Sequence, residues 1–130
     1  MLFLFLGDNK VIDIAVVKEN LLKPVPKQDP NADIEPQKPL ENPPQNIKAV
    51  YATAWSAGSS KKMNYFINLI KNTEINAIVI DIKDYTGYVS YDTSIDLVKK
   101  YKTSENRILR PNALIKRLHD EGIYVIARMA

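Results

Sequence analysis

The chain has 130 residues and no cysteine, which allows one modest domain but no disulfide, thiolate metal site or cysteine nucleophile. Its formal charge of +3 is uneven: residues 1–46 hold five lysines against seven acidic residues, and residues 47–130 hold thirteen lysines and arginines against eight. The basic excess is spread over helix faces rather than gathered with aromatic residues into one stripe, which argues against a nucleic-acid partner.

The opening residues MLFLFLG are strongly apolar but far shorter than a membrane span requires. They lack the positive n-region and small-residue cleavage site of a complete signal peptide. Two readings stay open, an anchor remnant within an N-terminal segment of residues 1–21 and a short strand. Val11 to Val17 reads as a β-like run with no obvious partner. Seven of the eight prolines then fall within residues 22–45. Proline fixes φ and removes a backbone donor, so residues 22–46 read as an extended linker without a core. A linker between an apolar stump and a domain fits an extracytoplasmic protein, secreted or tethered to a membrane. A disordered tail without a tether is the plainer alternative.

After Asn46 strands and helices alternate. Residues 47–55 form a β run, and Ser56-Ala57-Gly58-Ser59 is a turn that offers Ser59 as a helix N-cap. Met63, Phe66, Ile67 and Ile70 recur at i, i+3, i+4 and i+7, which predicts a helix over residues 60–72 with one sheet-covering face. Residues 76–82, NAIVIDI, are apolar on both parities, as in a parallel strand buried on both sides. An excursion over residues 83–110 follows, with a hairpin-like stretch at 87–91 and a short helix near 95–101. Pro111 opens a helix whose apolar face is Leu114, Ile115 and Leu118, and Gly122 ends it. Residues 123–129 are the third strand.

The pattern predicts an α/β fold of parallel (β/α) units forming the first part of a TIM (β/α)8 barrel, truncated after its third strand, over residues 47–130. A three-stranded sheet covered on one face would leave the other face and an edge bare, whereas a complete barrel takes about 250 residues. A small open α/β sandwich is the alternative.

Three blocks, AVYATAWSAGS at 49–59, TEINAIVIDIKDYTG at 73–87 and GIYVIAR at 122–128, resemble a bacterial family of glycoside hydrolase-like domains of unassigned function, related to the barrel glycosidases. The resemblance implies a TIM barrel and a carbohydrate substrate. It departs from the family at its end, where later strands carrying further active-site residues are absent.

Strand parity places the chemistry. Ala77, Val79, Asp81 and Lys83 share one face of the second strand, while Ile78, Ile80 and Ile82 should meet the helices. Asp81 then points inward near the C-terminal end of its strand, where barrel enzymes hold catalytic groups. Glycoside hydrolysis commonly uses two carboxyl groups on opposite sides of the bond. Asp81 and Asp84 are the candidate catalytic residues for one of them, and the second is expected on a later strand. Arg128 is the natural ion-pair partner of Asp81, either structural or orienting. Trp55, on the parity of Tyr51 and Thr53, is a candidate sugar-stacking platform or a core plug. Lys83, Arg128 and Thr53 are the further substrate-binding candidates. His119 sits among charged neighbours in a helical pattern and reads as a solvated side chain. No cofactor or metal is predicted, because the sequence offers neither a metal-ligand set nor a phosphate cradle. Besides a glycosidase, a non-catalytic carbohydrate-binding or envelope protein and a regulatory partner-binding module stay open.

Overall fold

A computed structural model describes residues 3–6, 10–13, 29 and 32–130. Strands β1 (Phe3–Leu6) and β2 (Lys10–Asp13) pair antiparallel, Phe3 opposite Asp13 and Leu6 opposite Lys10. The run beginning at Val11 therefore has a partner that its sequence did not reveal, the apolar opening residues themselves. Its continuation over residues 14–17 lies outside the described residues, as do residues 22–28, 30 and 31 of the proline-rich stretch, whose residues 32–46 fall within the second unit.

The second unit, residues 31–130, is an α/β arrangement of three parallel strands with intervening helices, as at the start of a barrel-like β/α fold. Strands β3 (Ala49–Ala52), β4 (Ala77–Lys83) and β5 (Tyr124–Met129) run in the order β3-β4-β5. Ala49 pairs with Ala77, and Ala77 with Tyr124. Between β3 and β4 lie α1 (Ala54–Ala57) and α2 (Ser60–Lys71); between β4 and β5 lie α3 (Asp96–Tyr101) and α4 (Pro111–Asp120).

The apolar periodicities become the core. Met63, Ile67 and Ile70 of α2 and Leu118 of α4 pack with Ile78 and Ile80 of β4. Met63, Ile78, Leu118 and Ile123 are wholly enclosed, each contributing about 2 kcal/mol of transfer free energy. Ser59 caps α2, its hydroxyl accepting from the Lys62 amide. Beyond α4, Gly122 sits at φ 72°, the left-handed conformation that allows its amide to reach His119 O at 2.9 Å and the Ile123 amide to reach Leu118 O at 2.9 Å. His119 is half-buried rather than solvated.

Two readings of the chain change. The first strand stops at Ala52, not Trp55, because Thr53 turns the chain into α1 by accepting from the Ser56 amide at 3.2 Å. No hairpin forms at 87–91 either. Val89 instead makes isolated bridges to Lys83 and to Ser104, folding the excursion back along β4. The start of α4 has no local side-chain cap. Asp33 supplies one, accepting from the Asn112 amide at 2.8 Å and the Ala113 amide at 3.0 Å. Burial alone would raise the pKa of Asp33, but its amide donors outweigh that and hold it below the ordinary carboxylate value.

Candidate active-site cleft

The helix-free face of the sheet carries a polar cluster because alternate residues of each strand point away from the helices. Register brings Tyr51 beside Val79 and Asp81 beside Arg128. Asp81 is 3% exposed, accepts a hydrogen bond from the Tyr51 hydroxyl, and accepts another from Arg128 Nη1 at 2.7 Å. The Arg128 guanidinium also lies 5.7 Å from the centre of the Tyr51 ring. Two charge-assisted bonds thus satisfy a carboxylate that could not otherwise be buried. Donation to Asp81 raises the pKa of Tyr51 and keeps its phenol protonated. The Asp81 carboxylate likewise raises that of Arg128.

A second cluster stands just beyond the end of β4. Asp84 opens a turn, accepting from the Thr86 amide at 3.1 Å and the Thr86 hydroxyl, while Gly87 at φ 84° closes the turn with its amide 3.0 Å from Asp84 O. The other Asp84 oxygen pairs with Arg107. Hydrogen bonding from Thr86 first, opposed by desolvation and reinforced by Arg107, holds Asp84 below the ordinary carboxylate range. Arg107 has a side chain only 4% exposed, also binds Glu105 through Nη2 at 2.6 Å, and lies over the Trp55 indole at 5.0 Å. Its pKa rises chiefly through the bond to Glu105.

The two clusters face one cleft of about 370 Å³, lined by Tyr51, Thr53, Trp55, Asp81, Asp84, Tyr85, Arg128 and Ala130. Five residues singled out in the sequence, Thr53, Trp55, Asp81, Asp84 and Arg128, therefore meet there. Lys83 does not line it. A register irregularity between Asp81 and Lys83 breaks the strand alternation, and the Lys83 ammonium instead donates to Ala130 O at 2.6 Å. Trp55 comes from α1 rather than a strand end, and at 63% exposed it is not a core plug. Thr53 spends its hydroxyl on capping α1. The sequence reading does not include Tyr51 and Arg107 among the site residues. Strand parity points to Tyr51, whereas nothing local marks Arg107, which lies 23 residues from Asp84. Among the described residues no group of acidic residues or histidine has a metal-binding arrangement.

A family model described as "Putative glycosyl hydrolase domain" matches residues 49–130. No curated protein matches the chain. The fold is similar to a crystal structure of a hypothetical protein from Ruminiclostridium thermocellum, with a TM-score of 0.58 and 37% identity over 61% of this chain and 41% of that one. The chain thus spans well under half the length of that relative.

Proposed function

The chain belongs to the family described as "Putative glycosyl hydrolase domain", matched over residues 49–130, and from that premise we propose that its domain hydrolyses O-glycosyl bonds in a polysaccharide or cell-wall glycan. The observation that carries this is the convergence of two carboxylates and an exposed indole on one cleft at the C-terminal end of parallel strands, where barrel enzymes keep their sites.

In this reading the domain is the opening of a TIM barrel. Trp55 offers an apolar face to a pyranose ring, and Tyr85, 91% exposed, extends that surface. Asp81 acts on the reacting sugar, oriented by Tyr51 and Arg128. Asp84, held ionised, accepts from sugar hydroxyls or serves as a base. It is a poor general acid, because that role calls for a raised pKa. Arg128 contributes at the cleft wall beside Thr53, and Lys83 adjoins the cleft only through its bond to Ala130 O. The partner carboxylate comes from a strand beyond β5. In this reading the prolines ahead of residue 32 separate the domain from a membrane or cell surface, in a protein that works outside the cytoplasm. Among the described residues no helix is long and apolar enough to cross a membrane.

One observation favours a second reading, a carbohydrate binder without turnover: Asp81 and Asp84 are each already paired with an arginine. The variants Asp81→Asn and Asp84→Asn, made in the full-length domain and assayed on a panel of cell-wall and plant glycans, separate the two. For an enzyme, each variant that removes acid–base chemistry lowers turnover by about a hundredfold or more with little change in melting temperature. If both keep wild-type turnover and glycan affinity, the carboxylates are structural and the site assignment fails. If the wild type binds glycans but hydrolyses none, the binder stands.

A further inference from the structure

The excursion between β4 and α4 is folded back by backbone bonds that converge on Val89 and Ser90. The Glu105 amide donates to Val89 O at 2.8 Å, the Ser90 amide to Ile82 O at 2.8 Å, and the Arg107 and Ile108 amides share Ser90 O at 3.0 and 2.9 Å. On the opposite side the Arg107 carbonyl presses against Gly58, where a Cβ would lie 2.0 Å from that oxygen. Gly58 has an ordinary helical φ of −74°, so glycine is required there for space and not for conformation. The loop is thus clamped between α1 and β4, and the Arg107 side chain emerges between three groups from separate segments: the Trp55 ring, Asp84 and Glu105.

We propose that Arg107 is the positioning residue of the cleft, holding the Trp55 indole and the Asp84 carboxylate in one fixed arrangement and so setting the geometry with which a sugar chain is bound. This rests on the carbohydrate reading above. A planar guanidinium can do both at once, since its face lies on the indole while its edge N–H groups bind two carboxylates, which a lysine ammonium cannot reproduce. Trp55 remains 63% exposed and lines the cleft, so the guanidinium leaves it ring surface to offer. Immobilising an aromatic before a ligand arrives removes an ordering cost from binding.

Trp55 is the one tryptophan of the sequence, so its fluorescence reports on the site directly. The test uses the whole chain, with wild type, Arg107→Gln and Arg107→Lys compared for acrylamide quenching and emission anisotropy, then titrated with cellohexaose and chitohexaose. Loss of the guanidinium in Arg107→Gln should raise quenching about twofold and lower anisotropy, and weaken oligosaccharide affinity about tenfold. Arg107→Lys should fall between the two. Circular dichroism and melting report folding separately, and a purely structural role would lower the melt without moving the folded-state Trp55 signal. Unchanged quenching and anisotropy in a folded Arg107→Gln protein overturn the proposal. If neither oligosaccharide perturbs wild-type emission, binding of those glycans fails, while the ligand-free signals still decide the role of Arg107. Should Arg107→Gln not fold, Glu105→Gln, which removes one anchor of the guanidinium, should shift Trp55 in the same direction by less, and an unmoved Trp55 signal there is equally fatal.

Discussion

The cleft holds two carboxylate–arginine pairs built in different ways. Asp81 and Arg128 stand on neighbouring strands, brought side by side by register, with the arginine half-exposed. Asp84 and Arg107 stand on loops, brought together by a folded excursion, with the arginine almost wholly enclosed. A sheet places the first pair at little cost, since pairing of strands fixes both positions. The second depends on many small loop contacts agreeing at once, and it is correspondingly easier to disrupt.

The sharpest way to break that asymmetry is Gly58→Ala. Its methyl group would enter the Arg107 carbonyl, so the loop must retreat, and overpacking of this kind costs about 3 kcal/mol. Chemical denaturation should register the loss, together with a change in Trp55 emission that leaves the Tyr51–Asp81–Arg128 cluster intact. If Gly58→Ala melts and fluoresces as wild type, the loop is not clamped. Next in size, Arg107→Ala should lower the melting temperature by several degrees, because it strands partners around an enclosed cation. Arg128→Ala should lower it by less, since water can enter where the half-exposed guanidinium stood and the Tyr51 hydroxyl stays bonded to the buried Asp81. Equal losses in thermal melts would erase the distinction.

Acidity should separate the pairs from opposite ends of the pH scale. The folded pKa of Asp84 is lowered, first by Thr86 and then by Arg107, so its contribution is complete above the ordinary carboxylate pKa and is lost as pH falls toward the folded value. That of Tyr51 is raised by Asp81, so its contribution is complete below the ordinary tyrosine pKa and is lost as pH rises through and beyond it. Trp55 fluorescence should therefore respond in acid, and tyrosine absorbance should show one phenol titrating late in alkali. A tyrosinate titration with no late component would count against the Tyr51–Asp81 bond.

The smallest effect tests the cap on α4. Asp33→Ala should cost about 1 kcal/mol. With a lowered folded pKa, that difference should hold at neutral pH and shrink in acid as the wild-type carboxylate protonates. A denaturation series at several pH values reads both, and a cost that does not vary with pH would show that the carboxylate charge is not involved.

What the sequence disclosed follows the same division between strands and loops. The doubly apolar run of β4, the helical stripe of Met63, Ile67 and Ile70, and the facing of Asp81 toward Arg128 are all periodic signals, legible because period fixes direction. The turn at Thr53 into α1 is hidden because Ala54 and Trp55 continue a β pattern equally well, and only the cap geometry decides. The hairpin expected at 87–91 is absent because alternating residues need a partner strand, and β4 and Ser104 each offer Val89 only an isolated bridge. Arg107 leaves no local trace, since apart from its near neighbour Glu105 its contacts, Asp84 and Trp55, come from distant turns whose paths no short-range pattern specifies. Lys83 is lost to a single irregularity in β4 that breaks the expected facing.

The Asp33 clasp bears on where this domain has its edges. The bond from Asn112 spans 79 residues, and closing so long a loop costs only slightly more entropy than closing a shorter one. Its acceptor nevertheless lies outside the stretch 49–130 that defines the family. A protein trimmed to those limits would keep every strand of the parallel sheet and still begin α4 with two amides facing water. The unit of kinship and the unit of folding therefore have different borders, and the second reaches back at least to residue 33.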